Sequence, residues 1–240
     1  MKKLISIGEA AKRLGVSIDT LRRWDKKGIL KSVRASGAGY RYYLEHDLYL
    51  FINDLFVRAE EWVEKETGVE PVSFLYCPTR DIFDARWVKM ENELAKIPSL
   101  PVHFSLITAV IGEIGNNSFD HNLGNWRDIP GIFFGYDIEK KYIVLADRGQ
   151  GILKTLQHVK PELEKDAEAV KTAFTEVISG RAPEARGNGL KYVKEVVTNY
   201  PLTLLFETGD AQLTLAQGDQ KLNISEKIPY IAGCLAVLQF

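Results

Sequence analysis

Apolar positions near the start of the chain recur every three or four residues, the period of a helix with one buried face. In "SIGEAAKRLG" the stripe is Ala10, Ala11 and Leu14; Ser6 and Glu9 form a capping box ahead of it and Gly15 ends it. "SIDTLRRWDKKG" begins again at Ser17, a good N-cap, turns Leu21 and Trp24 toward the first helix, and stops at Gly28. Two short helices joined by a tight turn make a helix-turn-helix pattern. "VRASGAGYRYY" follows as a glycine-tipped loop or small hairpin. From about Glu45 to Glu66 the helical period returns in Leu48, Phe51, Ile52, Leu55, Ala59, Trp62 and Val63, until "TGVEP" breaks it.

Beyond that break, strand-like and helical patterns mix. "PVSFLYC" predicts a short strand, "DIFDARWVKMENELA" a helix, and residues 102–121 a long helix after "KIPSLP". "GIFFGYDI" and "KYIVLAD" predict strands divided by the charged turn "EKK". "AEAVKTAFTEVIS" and "GLKYVKEVVTN" read as helices; "LTLLFET", "AQLTLAQ" and "GCLAVLQF" read as closing strands. The pattern is that of an α+β protein. It divides into a small domain over 1–52, a helical linker over 53–70 and a larger domain over 71–240.

Charge sharpens that division. Residues 1–50 hold eleven Lys or Arg against five Asp or Glu, a balance of +6, whereas the rest of the chain stands at −7. A basic head on an acidic body points to a polyanion partner for the head alone. With 240 residues, 45% of them apolar, the chain can bury a proper core. It has no run of about 18 apolar residues, so no membrane partner is expected. The first residues carry no long apolar segment, so no signal peptide is read there. Cys77 and Cys234 lie far apart, and a reduced, cytoplasmic chain is the expectation.

The head resembles the winged helix-turn-helix of MerR-type regulators and phage excisionases. The residues that carry the resemblance are "IGEAAKRLGVSIDTLRRWDKKGIL", the wing-like "RASGAGYRYY" and "EHDL". It implies a small all-α domain that binds double-stranded DNA, with its second helix in the major groove. Ser17, Thr20, Arg22, Arg23 and Lys26 would then lie near bases or phosphates, and Arg34, Tyr40 and Arg41 of the wing would touch the DNA backbone. MerR relatives often bind as homodimers. Arg and Lys anchor to phosphate whatever the base sequence; the plain alternative is a solvated charged face.

In the larger domain the candidate chemistry begins with "EIGNNSFDHN". Glu113, Asn117 and His121 are spaced i, i+4, i+8 and share one helix face, while Phe104, Ile107, Ile111 and Ile114 form another. Downstream, "LADRGQG" puts Asp147, Gly149 and Gly151 after an apolar strand, and "ARGNGL" puts Gly187 and Gly189 at a helix start. The stretch 152–186 between them, with Gly180 and Pro183, suits a mobile flap. A carboxylate at a strand end can accept from an exocyclic amino group, glycines admit close approach, and a helix N-terminus offers N–H groups to phosphate. An Asn amide oxygen with ATP phosphates would suit magnesium, which prefers oxygen and keeps several waters.

These motifs, E-x-x-x-N, D-x-G-x-G and G-x-G-L in that order, resemble the boxes of the GHKL ATPases: gyrase, heat-shock chaperones, mismatch-repair ATPases, histidine kinases and anti-sigma-factor kinases. The resemblance covers roughly 72–240. It implies a Bergerat-type α/β sandwich with a mixed sheet, binding ATP and Mg2+. It assigns Asn117 to magnesium, Asp147 to adenine, and Gly149, Gly151, Gly187 and Gly189, with Leu190 and Lys191, to the pocket. Glu113 matches the residue that activates water or a hydroxyl, and His121 matches the last position of the "N-A-x-x-H" form of anti-sigma kinases. Three departures stand out, the first that Lys191 stands where many histidine kinases have a further glycine. The histidine-kinase dimerisation segment is absent, which argues against autophosphorylation on histidine. Cys234 also follows Gly233 where many relatives have a threonine. Singly, each motif has an ordinary explanation as a helix surface pair, a turn or a helix start; the order of all three carries the resemblance.

The leading expectation is therefore a DNA-binding transcriptional regulator whose ATP-binding domain modulates DNA binding or assembly. The alternative is an anti-sigma-like serine/threonine kinase or Mg2+-dependent ATPase addressed to DNA, acting on a protein partner. A third, plainer reading makes the nucleotide fold a dimerisation scaffold only.

Overall fold

In the computed structural model of the chain, residues 3–14, 16–26, 30–34, 39–45, 47–48, 51, 55–177 and 188–240 are described. Contacts divide it into two units, Met1–Arg58 and Ala59–Phe240.

In the first unit, strand β1 (Leu4–Ser6) leads into helices α1 (Ile7–Leu14) and α2 (Ile18–Lys26), followed by β2 (Val33–Arg34) and β3 (Arg41–Leu44). The strands form an antiparallel sheet in the order β1-β3-β2, so the head is a mixed α and β module rather than all-α. Ser6 Oγ accepts from Glu9 N–H at 3.3 Å, which is one arm of the expected capping box. Ser17 Oγ accepts from Thr20 N–H at 3.1 Å and caps α2 as expected. Ala10, Ala11, Leu21 and Trp24 are buried as the periodicity requires, and the Tyr43 hydroxyl donates to the Leu21 carbonyl at 3.2 Å. Gly15, Gly28 and Ile52, read above as helix stops and a core position, lie outside the described residues.

Helix α3 (Leu55–Glu64) carries the boundary between the units. The second unit continues with β4 (Tyr76–Cys77), α4 (Arg80–Leu94), α5 (Phe104–Asn122), β5 (Ile132–Asp137), β6 (Tyr142–Asp147), α6 (Gly151–Gln157), α7 (Asp166–Thr175), α8 (Gly189–Asn199), β7 (Thr203–Ala216) and β8 (Asn223–Gln239). Its sheet runs β4-β5-β6-β8-β7. Every described ladder in it is antiparallel, in place of the expected mixed sheet; β5 and β6 join through a tight turn and β7 and β8 form a long hairpin. The α+β class stands.

Alternation along the strands sorts side chains onto two faces. Ile132, Phe134, Ile143, Leu145, Phe206, Ala236 and Leu238 join Ile107, Ile111 and Ile114 of α5 and Val193, Val196 and Val197 of α8 in one core. On the other face, the Phe133 ring lies 6.4 Å from that of Trp62. Residues 59–66, expected as part of a linker, thus belong with the larger unit.

Two strand expectations merge. "LTLLFET" and "AQLTLAQ" form the single strand β7, irregular around Gly209, which has φ +61° and whose Cβ position falls 2.1 Å from the Asp166 carboxyl. The expected flap is corrected as far as it is described. Residues 151–157 and 166–175 are helices whose Leu156, Ala169, Val170 and Phe174 are buried. A segment with that much apolar surface removed from water is part of the body.

Candidate nucleotide cleft and DNA-reading head

Register places the cleft. Ile132, Asp147, Cys234 and Thr208 stand side by side across β5, β6, β8 and β7 at one end of the sheet. Helix α5 crosses above them, and a cleft of about 390 Å3, open solvent included, lies between. Asn117, His121, Asp147, Gly151 and Leu190 line it, with Ser118, Asn122, Thr155 and Cys234 as further polar neighbours.

Asp147 is 1% exposed. Its Oδ2 accepts from Ser118 Oγ at 2.7 Å; its Oδ1 accepts from Asn122 Nδ2 at 3.1 Å and from Gly149 N–H at 2.9 Å. Burial pushes its carboxyl up to about 6, against the opposing pull of Ser118, Gly149, Cys234 and Asn122. Asn122 is itself fully engaged: Nδ2 also donates to the Ser118 carbonyl at 2.8 Å, and Oδ1 accepts from Gln150 N–H at 3.0 Å. The tight turn is built around this amide, since a Cβ on Gly149 would fall 2.0 Å from it. Gly151 adopts φ +75°, a conformation that favours glycine, and its Cβ position is 3.0 Å from Thr208 Oγ1.

Helix α8 closes the arrangement. The Cβ position of Gly189 lies 2.6 Å from Glu113 Oε2 and 3.4 Å from Asn117 Nδ2, so the start of α8 abuts the polar stripe of α5. Glu113 is exposed and Asn117 half-buried. Of the residues predicted from the three distant stretches, Asn117, His121, Asp147, Gly151 and Leu190 line the one cleft, while Glu113 and Gly189 are not among its lining residues. Gly149 supports the cleft from behind, Lys191 is not among its lining residues, and Gly187 lies outside the described residues.

Several contributors were missed from the sequence. Ser118 and Asn122 sit one and five residues after Asn117 and brace Asp147; serine and asparagine on a helix carry no distinctive signal. Thr208 supplies a hydroxyl beside Cys234, where the resemblance implied a threonine. It accepts from Ile152 N–H at 3.2 Å, donates to the Gly233 carbonyl at 2.8 Å, and lies 3.6 Å from Cys234 Sγ. Burial, and then the nearby Asp147, raise the Cys234 thiol, so it is a protonated wall of the cleft. Arg148 is 0% exposed and points away from the cleft. It donates through Nε and Nη2 to the Asp128 carboxylate at 2.8 and 2.6 Å, and through Nη1 to the Trp62 carbonyl at 2.5 Å.

In the head, Ser17, Arg22, Arg23, Lys26, Arg34 and Tyr40 are exposed and Thr20 is partly so. Arg22 pairs with Asp19 at 2.9 Å on the surface. Arg41 stands apart from its expected role: its Nε donates to Asp25 Oδ2 at 2.7 Å, while Asp25 Oδ1 accepts from Ser32 N–H at 2.9 Å. That bridge ties β3 to α2 and makes Arg41 a structural residue first.

Residues 6–43 match the sequence profile of the family described as "MerR family regulatory protein". The head is a MerR-type helix-turn-helix. The Type II methyltransferase M.Eco47II of Escherichia coli is 38% identical to this chain over 65 residues, which are 27% of this chain and 16% of that relative. Among solved structures, the 43K ATPase domain of Thermus thermophilus gyrase B is similar at a TM-score of 0.35 and 17% identity over 64% of this chain. The ATP-binding domain of Francisella tularensis topoisomerase IV gives the same score and identity over 55%. The chain spans 38% and 35% of those two chains. Likenesses that distant carry no weight here, and the reading of the cleft rests on its own residues.

Among the described residues, no helix is long and apolar enough to cross a membrane, and no group of three or more His, Cys, Asp or Glu could hold a metal by itself.

Proposed function

We propose that the protein is a DNA-binding regulator whose larger unit binds ATP and whose DNA binding depends on that nucleotide. The observation that carries the reading is the convergence of Asp147, Asn117 and Leu190 on a single cleft, with Gly189 against Asn117 at the start of α8. Asp147 is held rigidly by donors on several sides, which suits a carboxylate that must present a fixed acceptor to a base amino group. The glycine turn after it and the N-terminus of α8 suit the flat and anionic parts of a nucleotide. Magnesium fits through the donor chemistry present. Asn117, whose side-chain amide lies beside the start of α8, carries one amide oxygen for the ion, and phosphate oxygens with water would complete the shell. The ion would neutralise phosphate charge, while Asn117 orients it.

ATP acts on DNA affinity only to the extent that it prefers one conformation of the chain. The test is a pair of titrations with a duplex selected by the protein from a random pool, with and without ATP and Mg2+. The reading expects dissociation constants that differ by severalfold. Equal constants, with a protein that demonstrably binds ATP, would refute it.

One observation keeps a second reading open. Glu113 is exposed at the start of α8, where a reacting hydroxyl or water would have access. As a general base it would support phosphoryl transfer to a protein partner or slow hydrolysis. Glu113→Gln should abolish turnover while leaving ATP binding intact; undiminished turnover removes Glu113 from that role.

A further inference from the structure

The two sides of the sheet are used differently at the same positions along the chain. Asp147 lines the cleft, and the next residue, Arg148, is buried on the opposite side. Thr208 braces the cleft turn through Ile152 N–H, and the preceding residue, Glu207, points the other way and is 2% exposed. Both outward-turned residues lead to the carboxyl end of α3. Arg148 donates to the carbonyls of Trp62 and Glu66, and Asp128, which holds its guanidinium, also accepts from Gly68 N–H at 2.7 Å. Glu207 lies 3.7 Å from Lys227, whose ammonium donates to Glu60 at 2.6 Å and Glu64 at 3.1 Å. Trp62 completes the grip, with Nε1 donating to the Val69 carbonyl at 2.9 Å.

We propose that residues 60–69 are the output element of the nucleotide cleft, clamped to its back by Arg148 and by the Lys227–Glu207 pair. This rests on the nucleotide reading above and adds to it the route by which occupancy leaves the site. A buried guanidinium with four fixed acceptors has little room to rearrange without moving them together. A change at the Asp147–Gly151 turn therefore displaces the end of α3 rather than dissipating locally. That helix is the covalent continuation of the DNA-reading head. A clamp of this kind passes on a signal if it couples two discrete arrangements, which makes it testable.

The experiment uses the full chain. Amide hydrogen exchange is measured with and without ATP and Mg2+, and DNA affinity is measured under both conditions for wild type, Arg148→Met and the double variant Glu60→Gln/Glu64→Gln. In wild type, ATP should slow exchange at 147–152 and, together with it, at 60–69. In both variants ATP should still raise the melting temperature, while the ratio of DNA dissociation constants with and without ATP falls to about one. Protection confined to the cleft in wild type overturns the proposal whether or not the variants fold. So does an ATP effect on DNA affinity that persists in a variant. If ATP neither protects 147–152 nor stabilises wild type, the nucleotide reading itself is overturned, and the clamp loses its signal with it.

Discussion

Gly149→Ala tests the cleft at its tightest point. Gly149 has no positive φ, so its backbone accepts alanine and the whole effect must be steric. The added methyl would lie 2.0 Å from Cγ and Oδ1 of Asn122 and 2.1 Å from Nδ2, well inside an ordinary contact of about 3.5 Å. The amide must therefore move by more than an ångström. It is 4% exposed and holds the Ser118 carbonyl, Asp147 Oδ1 and Gln150 N–H. At about 1 kcal/mol for each lost bond, the expected destabilisation is about 3 kcal/mol. For a unit of this size that lowers the melting temperature by roughly 6–12 °C. ATP should no longer stabilise the variant, because Asp147 loses its fixed orientation. Urea and thermal denaturation, with and without ATP, measure both effects. Adding Asn122→Ser makes room for the methyl, so the double variant should be less destabilised than the two single effects summed. A Gly149→Ala protein within about 1 kcal/mol of wild type that is still stabilised by ATP would refute this account of the turn.

Other outcomes follow from neighbouring residues. Gly189→Ala pushes a methyl toward the exposed, movable Glu113 and the edge of Asn117; stability should change by less than about 1 kcal/mol while ATP affinity falls about tenfold or more, read by calorimetry. The Asp147 carboxyl, raised by burial to about 6 from 3.8, favours folding below about pH 4, and that contribution is lost as pH rises through 6. Wild type should thus lose about 3 kcal/mol relative to Asp147→Asn between about pH 3 and 7, and parallel stability curves for the two would contradict it. Asp128 runs the other way: the Arg148 guanidinium lowers it to about 2, so its contribution is present above about pH 4 and fades on further acidification. In the head, Arg23→Ala should weaken binding to all duplexes alike and reduce the salt slope by about one, whereas Arg41→Ala should lower the stability of the head by breaking its bridge to Asp25.

The parts of this design that depend on local pattern were legible in the sequence. The caps at Ser6 and Ser17, the apolar stripes of α1, α2 and α5, and strands β5 and β6 all follow from periodicity and N-cap chemistry. The polar stripe and the two glycine motifs were visible too, and so was their order. What the sequence could not display were contacts between distant residues. Arg148 looks like a surface arginine beside a turn, because arginine is seldom fully buried; its burial depends on Asp128 and on carbonyls more than eighty residues away. Asn122 reads as a helix end, and only the approach of Gly149 reveals it as the keystone of the turn. The stretch 152–177 looked loose because of its charges, yet Leu156, Leu163, Ala169, Val170 and Phe174 bury a face of it. The antiparallel pairing of the sheet is likewise a matter of register between strands that no single strand encodes.

Calorimetric titration of the full chain with ATP and Mg2+, run beside Asp147→Asn, tests the central claim most directly. The account predicts one saturable site per chain in wild type and its loss in the variant. Absence of binding in wild type at millimolar ATP, or equal binding by both proteins, would contradict it.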